Sequence, residues 1–531
     1  MKTIINLKGI IMKISTFKKA ILLIVLMFTS MVNAQMNSKQ VDSLVNYAMS
    51  KFNVAGCAVA VVKDGKIIHN KGYGVKSITT QSPVNEHTQF AIASNSKAFT
   101  TAALAILVEE GKISWLDKVK DHIPEFRMYN QYVEDNFNIQ DLVTHRSGLG
   151  LGMGDLMFFP DGTDFTMDDL LSSFQYFKPE SAFRTKWDYD NLLYLVAGEL
   201  IARKSNMTWE EFVRINILEP LNMDNTYASL DQIKDTSNLS ASHAVEKGEI
   251  RVIPTFKEMM NGAAGGIFSN VDDLSQWILL QLNKGKFGED LKKQLFSTVN
   301  HREMWRMHTV MSADPNPRYN SHVSGYGLGW FVSDVKGNLK VEHTGGLPGM
   351  LSNTVMIPDL NLGVVILTNT SDDGGGLFSA VANAITDDYL GLDNFNWVDK
   401  YAAYFKQRAT GNDDYTKKVW EEVATADASK INAKNYTGFY RDNWFGKAEV
   451  FNKKGKLYIK FLRSPKLNGE LQFYKNNTFA VKWEYQDMNA DAFVTFSVDN
   501  NNKVQSMKLK GISQNIDFSF DFQDLDLQRE D

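Results

Sequence analysis

Ser94-Asn95-Ser96-Lys97 opens the stretch on which the reading of this chain turns. It runs on through Ala98-Phe99-Thr100-Thr101-Ala102-Ala103-Leu104-Ala105-Ile106-Leu107 and stops near Gly111. The run is alanine-rich, its apolar residues recur at helical spacing, and a glycine closes it, so a helix is predicted. Residues three apart at a helix start share one face. A serine hydroxyl is a weak nucleophile and needs a base within hydrogen-bond reach. A lysine in a dry cleft can lose its proton near neutral pH, and the helix N-terminus favours negative charge developing at Ser94.

Ser-x-x-Lys alone is a weak signal. It recurs at Ser15-Thr16-Phe17-Lys18 and at Ser333-Asp334-Val335-Lys336, and Tyr-x-Asn recurs at Tyr474-Lys475-Asn476. The information lies in an ordered triple. Tyr189-Asp190-Asn191 and then His343-Thr344-Gly345-Gly346 follow the first cluster. If Lys97 lowers its pKa, the Tyr189 phenol can carry a proton to or from the reacting groups. Asn191 can hold a substrate amide and also bind Lys97. The third cluster falls where a strand is predicted, and its glycines let a substrate backbone approach closely. The N–H groups of Ser94 and Gly346 then make a two-donor oxyanion hole. Arg146-Ser147-Gly148 mimics the third cluster but follows a helical stretch and reads as a loop. The triple is equipment for acyl transfer through a serine ester.

Outward from these clusters the organisation takes shape. Apolar runs on either side of Asp64-Gly65 predict strand, turn, strand over about 54–75. Residues 115–255 read as helices joined by polar loops, for example Met167 to Phe177 and Asn191 to Ala202. Strands return from Tyr326 to Asn369, with a turn at Pro358-Asp359-Leu360-Asn361, and a helix follows to Tyr389. Strands at both ends and helices between them predict one α/β sheet built from both ends of the region, with a helical subdomain inserted. The site is expected where the two parts meet. Residues 395–432 read as a helical linker. From 433 to 531 apolar and polar residues alternate, which predicts an antiparallel β barrel or sandwich. Its aromatics Tyr440, Trp444, Phe445 and Trp483 are expected in that core rather than on a binding face.

At 531 residues with 44% hydrophobic and 22% charged, the chain is an ordinary globular protein of several domains. Lys13, Lys18 and Lys19 precede an apolar run from Ala20 to Val32, and Val32-Asn33-Ala34 resembles a small-residue cleavage site. Residues 1–34 therefore read as a secretory signal peptide, and the location expected is periplasmic or secreted. Without them the formal charge moves from −5 to −10. Such a balance disfavours nucleic acid and anionic lipid, and no further segment is apolar enough to span a membrane. Cys57 is the only cysteine, so no internal disulfide forms, and its apolar strand marks it as a small buried hydrophobe. The histidines follow no ligand spacing, and neither metal nor cofactor is expected.

With these residues assembled, the chain resembles the serine β-lactamase and penicillin-binding-protein superfamily, and within it the class C β-lactamase-like serine hydrolases. The similarity spans about 40–392. It includes the stretches Asp141 to Leu149, Gly262 to Ser269 and Tyr326-Gly327-Leu328-Gly329-Trp330. The resemblance implies Ser94 as acylated nucleophile, Lys97 and Tyr189 as proton carriers, and Asn191, His343, Thr344 and Gly345 as substrate-binding. It implies the Ser94 and Gly346 amides as oxyanion hole. It further implies a β-lactamase-like antiparallel sheet flanked by helices, with a C-terminal β domain of a kind often appended to such hydrolases. Two residues depart from the lactamase pattern. His343 stands where those enzymes usually carry a lysine, and Asp190 where they carry a small residue. A largely neutral histidine and an added carboxylate both disfavour an anionic substrate. An exported serine hydrolase acting on a small ester, amide or D-amino-acid peptide is the expectation. A β-lactamase or slowly deacylating penicillin-binding sensor is the alternative, and cell-wall contact through the C-terminal domain a third role.

Overall fold

In the computed structural model, residues 35–530 are described apart from 247, 258, 259, 430 and 502, with backbone alone for 408–413. The predicted leader lies outside the described residues. Asp64 (φ 50°) and Gly65 (φ 74°) form the two-residue turn their pairing predicts. They join β1 (Gly56–Lys63) to β2 (Lys66–Gly74). Six more strands come from the far end of the region: β3 (Thr309–Met311), β4 (Ser324–Tyr326), β5 (Phe331–Val335), β6 (Asn338–Leu347), β7 (Met350–Ile357) and β8 (Leu362–Thr368). They pair in the order β2-β1-β8-β7-β6-β5-β4-β3, every neighbour antiparallel. β1 and β8 are apolar on both faces because helices cover both faces of the sheet centre.

One face packs on α1 (Ser38–Lys51), α5 (Asp373–Tyr389) and α6 (Trp397–Thr425), through Val59, Val61, Val364 and Ile366. The other face packs on α2 (Ser96–Glu109), α4 (Val271–Leu282) and the helical insert. α2 is buried from Ser96 to Leu107 on all sides, which marks it as the central helix of the core. Phe99 stacks on Trp277 of α4 with ring centroids 4.0 Å apart. Fully burying one such ring contributes on the order of 3 kcal/mol. α3 (Leu192–Ser205), whose first ten residues are almost wholly apolar, packs against α2 from the insert.

The C-terminal strands close a barrel: β9 (Gly438–Asp442), β10 (Gly446–Lys453), β11 (Lys456–Phe461), β12 (Ser464–Lys475), β13 (Thr478–Trp483), β14 (Ala492–Val498), β15 (Val504–Gly511) and β16 (Leu527–Glu530). Tyr440, Trp444, Phe445 and Trp483 are all buried, so they offer no glycan-binding face. Residues 395–432 are not a bare linker. α6 lies along α5 and α1 at its start, and Val419 and Val423 near its end pack on Ala480 and Ile512 of the barrel. Among the described residues no helix is long and apolar enough to cross a membrane.

Candidate active site

Ser94 sits in a one-turn 3₁₀ segment, Ala93–Asn95, that leads directly into α2. Ala93 takes φ +48°, a region that non-glycine residues rarely occupy. The turn is held in that shape by β7. Asn95 Nδ2 donates to Ser352 Oγ at 2.8 Å, and Ser352 Oγ donates to the Ile92 carbonyl at 2.6 Å. A strained residue before the nucleophile lifts its hydroxyl out of the helix and into the cleft between sheet and insert.

Lys97, one turn into α2, is completely buried. Its Nζ lies 3.2 Å from Ser94 Oγ, 2.6 Å from Asn191 Oδ1 and 2.9 Å from the Ala264 carbonyl oxygen. The two carbonyl-type oxygens can only accept, so they take two N–H bonds of the lysine. The direction toward Ser94 then holds an N–H in the ammonium and a lone pair in the amine. That geometry lets the neutral amine accept the serine proton. The ammonium also rests over the rings of Tyr189 and Tyr194, 4.7 and 5.2 Å from their centroids.

Tyr189 approaches Ser94 from the insert, and the serine side chain acts on its phenol as a polar neighbour. The expected lowering of its pKa is not found. Burial dominates and drives the phenol well above its usual 10, so Tyr189 is a neutral O–H. His145 supports it from behind, ring centroids 4.3 Å apart, and accepts the Asp190 N–H at Nδ1 over 3.1 Å. Burial, then the charge of Lys97, holds His145 well below 6.5 and therefore neutral.

Asp190 does not face the cleft, which corrects the expectation that it repels anions. Its side chain is buried, turned into the N-terminus of α3, and accepts the Leu193 N–H at 3.2 Å. Burial pushes its carboxyl up to about 7.

β6 brings the third cluster alongside. Its pairing with β5 ends at Glu342, whereas its pairing with β7 continues to Leu347, so residues 343–347 present an open strand edge. Gly345 faces the Ser94 turn: a Cβ there would lie 2.1 Å from the Ile92 carbonyl oxygen and 2.9 Å from the Ser94 nitrogen. Gly346 is exposed on the open edge. Thr344 pairs with Asn353, on the face opposite Gly345, so its side chain does not point to the Ser94 side. The His343 ring does not project into the cleft either. It is buried, with Nδ1 2.6 Å from the Thr344 carbonyl oxygen and Nε2 2.9 Å from the Tyr326 hydroxyl. The carbonyl requires the ring proton on Nδ1. Burial, then Lys97, depresses its pKa to about 3, so it is a neutral wall.

Several residues of the site escaped the motif reading. The stretch Gly262 to Ser269 supplies the Ala264 carbonyl, and Asp141 to Leu149 supplies His145. Asp155 carried no signal. It is buried, and its Oδ2 accepts Asn191 Nδ2 at 2.8 Å, which turns Asn191 Oδ1 toward Lys97. Burial drives its carboxyl well above the usual range, against the pull of Ser519 and Asn191. Cys57 is buried in β1, its thiol pushed up to about 12 by burial, far from nucleophile chemistry.

An antiparallel sheet with a helical insert, and a Ser–Lys pair between them, define a serine hydrolase of the β-lactamase fold. The chain belongs to the beta-lactamase family, whose model matches residues 41–384. Residues 423–529 match a second family, a domain of unknown function (DUF3471). Unguisins hydrolase ungD′ of Aspergillus campestris is 26% identical over 367 residues, 67% of this chain and 66% of that protein. Protein flp of Staphylococcus aureus is 26% identical over 349 residues, 64% of each chain. The chain thus matches about two thirds of the length of these relatives. The octameric penicillin-binding protein homologue from Pyrococcus abyssi shares the fold, with TM-score 0.59 at 20% identity over 93% of this chain and 100% of that one. The crystal structure of SurE matches with TM-score 0.53 at 16% identity, over 93% of this chain and 99% of that one.

Proposed function

We propose that this protein is an exported serine hydrolase that acts through an acyl-enzyme on a small ester, amide or D-amino-acid peptide. The observation that carries the reading is the buried Lys97 amine, fixed by Asn191 and Ala264 with its remaining direction toward Ser94. Ser94 Oγ attacks the carbonyl carbon as its proton passes to Lys97. The oxyanion forms beside the N–H groups of Ser94 and Gly346. Tyr189 passes its proton to the leaving group while the Lys97 ammonium returns the serine's proton to the phenol, and water then cleaves the ester by the same route in reverse. The name of the Aspergillus relative, a hydrolase, agrees with this reading.

A substrate without a negative charge is favoured. His343 is buried and neutral where a cation would anchor a carboxylate. Export rests on the apolar run from Ala20 to Val32 and its flanking lysines.

Mass spectrometry after treatment with a fluorophosphonate probe tests the chemistry. An adduct on Ser94, absent in a folded Ser94→Ala variant, is expected; folded wild-type protein with no adduct sinks the proposal. Side-by-side turnover of p-nitrophenyl esters, D-amino-acid p-nitroanilides and nitrocefin ranks the substrate classes. A single stoichiometric burst without turnover would make the protein a slow-deacylating sensor instead.

A further inference from the structure

Between β15 and β16 the chain leaves the barrel, and residues 517–521 reach the catalytic cleft. Asp521 Oδ2 accepts the Gly154 N–H at 2.6 Å, and its Oδ1 accepts the Leu156 N–H at 3.1 Å. Phe520 meets Phe159 edge-on, centroids 5.1 Å apart. Phe518 stands edge-on to Tyr189 at 5.8 Å. Gly152 makes room for it: a Cβ there would lie 2.7 Å from the Phe518 ring and 2.8 Å from its carbonyl oxygen. Ser519 Oγ donates to Asp155 Oδ2 at 2.8 Å.

That last bond completes a chain of buried side chains. Ser519 holds Asp155, Asp155 accepts from Asn191 Nδ2, Asn191 Oδ1 faces Lys97 Nζ, and Lys97 faces Ser94. An amide has two ends of opposite hydrogen-bonding character. Turned round, Asn191 would point its N–H₂ at the lysine, donor against donor. The shared Oδ2 of Asp155 selects the productive orientation. Among the described residues its other oxygen is buried without a partner, so the two donors on Oδ2 hold the carboxyl in that pose.

We propose that Ser519, carried by the barrel, is a positioning residue of the active site: through Asp155 it fixes the Asn191 amide so that its oxygen faces Lys97. The barrel is then a structural part of the catalytic unit. The proposal rests on the reading of Ser94 and Lys97 as nucleophile and base.

The experiment uses the full chain and reads the hydroxyl alone. Ser519→Ala is compared with wild type, and Ser519→Val with Ser519→Thr, two side chains of nearly equal size. The readouts are the rate of Ser94 labelling by a fluorophosphonate, kcat and KM on a p-nitrophenyl ester, and the melting temperature. Labelling and kcat are expected to fall about ten-fold in Ser519→Ala, the scale of one buried hydrogen bond, with KM within about two-fold. The threonine variant is expected to exceed the valine variant by a similar factor. Equal rates across either pair overturn the proposal. So does a loss in which threonine and valine fall together and KM rises with the fall in melting temperature, which marks packing alone. Failure of the wild type to label at Ser94 refutes the hydrolase reading instead.

Discussion

Gly345→Ala is the substitution whose outcome the geometry fixes most tightly. The added methyl would meet the Ile92 carbonyl oxygen at 2.1 Å, Ser352 Oγ at 2.5 Å and the Ser94 nitrogen at 2.9 Å. The first of these is about 1.3 Å short of an ordinary 3.4 Å contact. Neither neighbour can retreat cheaply. The Ile92 carbonyl is tied to Ser352 at 2.6 Å, and the Ile92 N–H is tied to the Ile267 carbonyl at 2.9 Å. The open edge of β6 must therefore move, and it carries Gly346 with it. A displacement of about 1 Å at reacting groups costs on the order of 10²-fold in rate, and loss of an oxyanion donor 10²–10³-fold. Overpacking costs about 1–3 kcal/mol in stability. Gly345→Ala is thus expected to lower kcat on a p-nitrophenyl ester by roughly 10²-fold or more while the protein still melts cooperatively. Gly346→Ala is the contrast. Its methyl would meet only a flexible Leu351 methyl, at 3.2 Å, and it keeps the backbone N–H. It should stay within about three-fold of wild type, a change of well under 1 kcal/mol. If Gly345→Ala retains wild-type kcat, or if Gly346→Ala is equally damaging, the placement of the strand edge against the nucleophile is wrong.

Tyr189→Phe keeps the ring contacts with His145 and Phe518 and deletes only the proton carrier. Its kcat should fall about 10²–10⁴-fold with little change in melting temperature, and a fall of less than ten-fold would remove Tyr189 from the proton path. Asp190→Asn tests the inward-facing carboxyl. The folded-state pKa of Asp190 is raised to about 7 from 3.8, so its protonated form contributes stability that is present below about pH 4 and lost as pH rises through 7. The asparagine variant should therefore melt higher than wild type at pH 8, and the gap should close toward pH 4. The ratio of activities on anionic and neutral esters should not change, whereas a change would return Asp190 to the substrate side.

The nucleophile, its lysine, the phenol and the glycine strand were legible because each motif is short and local spacing fixes which groups share a face. The barrel was legible from period-2 alternation, and closure added what the pattern alone leaves open. What a residue near the site faces is a matter of register and burial, which sequence does not carry. His343 and Asp190 lie beside the cleft but do not reach into it, one held by the Tyr326 hydroxyl and the Thr344 carbonyl and one by a helix N-terminus in need of an acceptor. The phenol's pKa follows burial too: desolvation, then the neighbouring Tyr326, drives it up. Residues 395–432 looked like a linker because their exposed surface is charged. Val398 near the start of α6 and Val419 with Val423 near its end bury against different neighbours.

Asp155 and Ser519 could not be found from spacing, since they lie 364 residues apart and meet only when the barrel docks. The docking surface explains why that meeting is built into the fold. Phe165 stacks on Phe445 at 5.3 Å, Phe177 meets Trp444 at 5.3 Å, and Phe159 meets Phe520 at 5.1 Å. Arg463 of the barrel pairs with Asp164 at 2.6 Å and Asp169 at 2.8 Å. These five partners on the hydrolase side fall between residues 159 and 177. The segment before them, which carries Asp155, has only the short 3₁₀ turn Asp155–Met157 as regular structure. Its turn bonds the N–H groups of Met153, Asp155, Met157 and Phe158 locally, and Asp521 supplies the acceptors for those of Gly154 and Leu156. The wall of the cleft behind Asn191 is therefore shaped by the barrel that covers it. The two parts share one continuous hydrophobic core, so this wall and the seated barrel are packed as one body of apolar side chains.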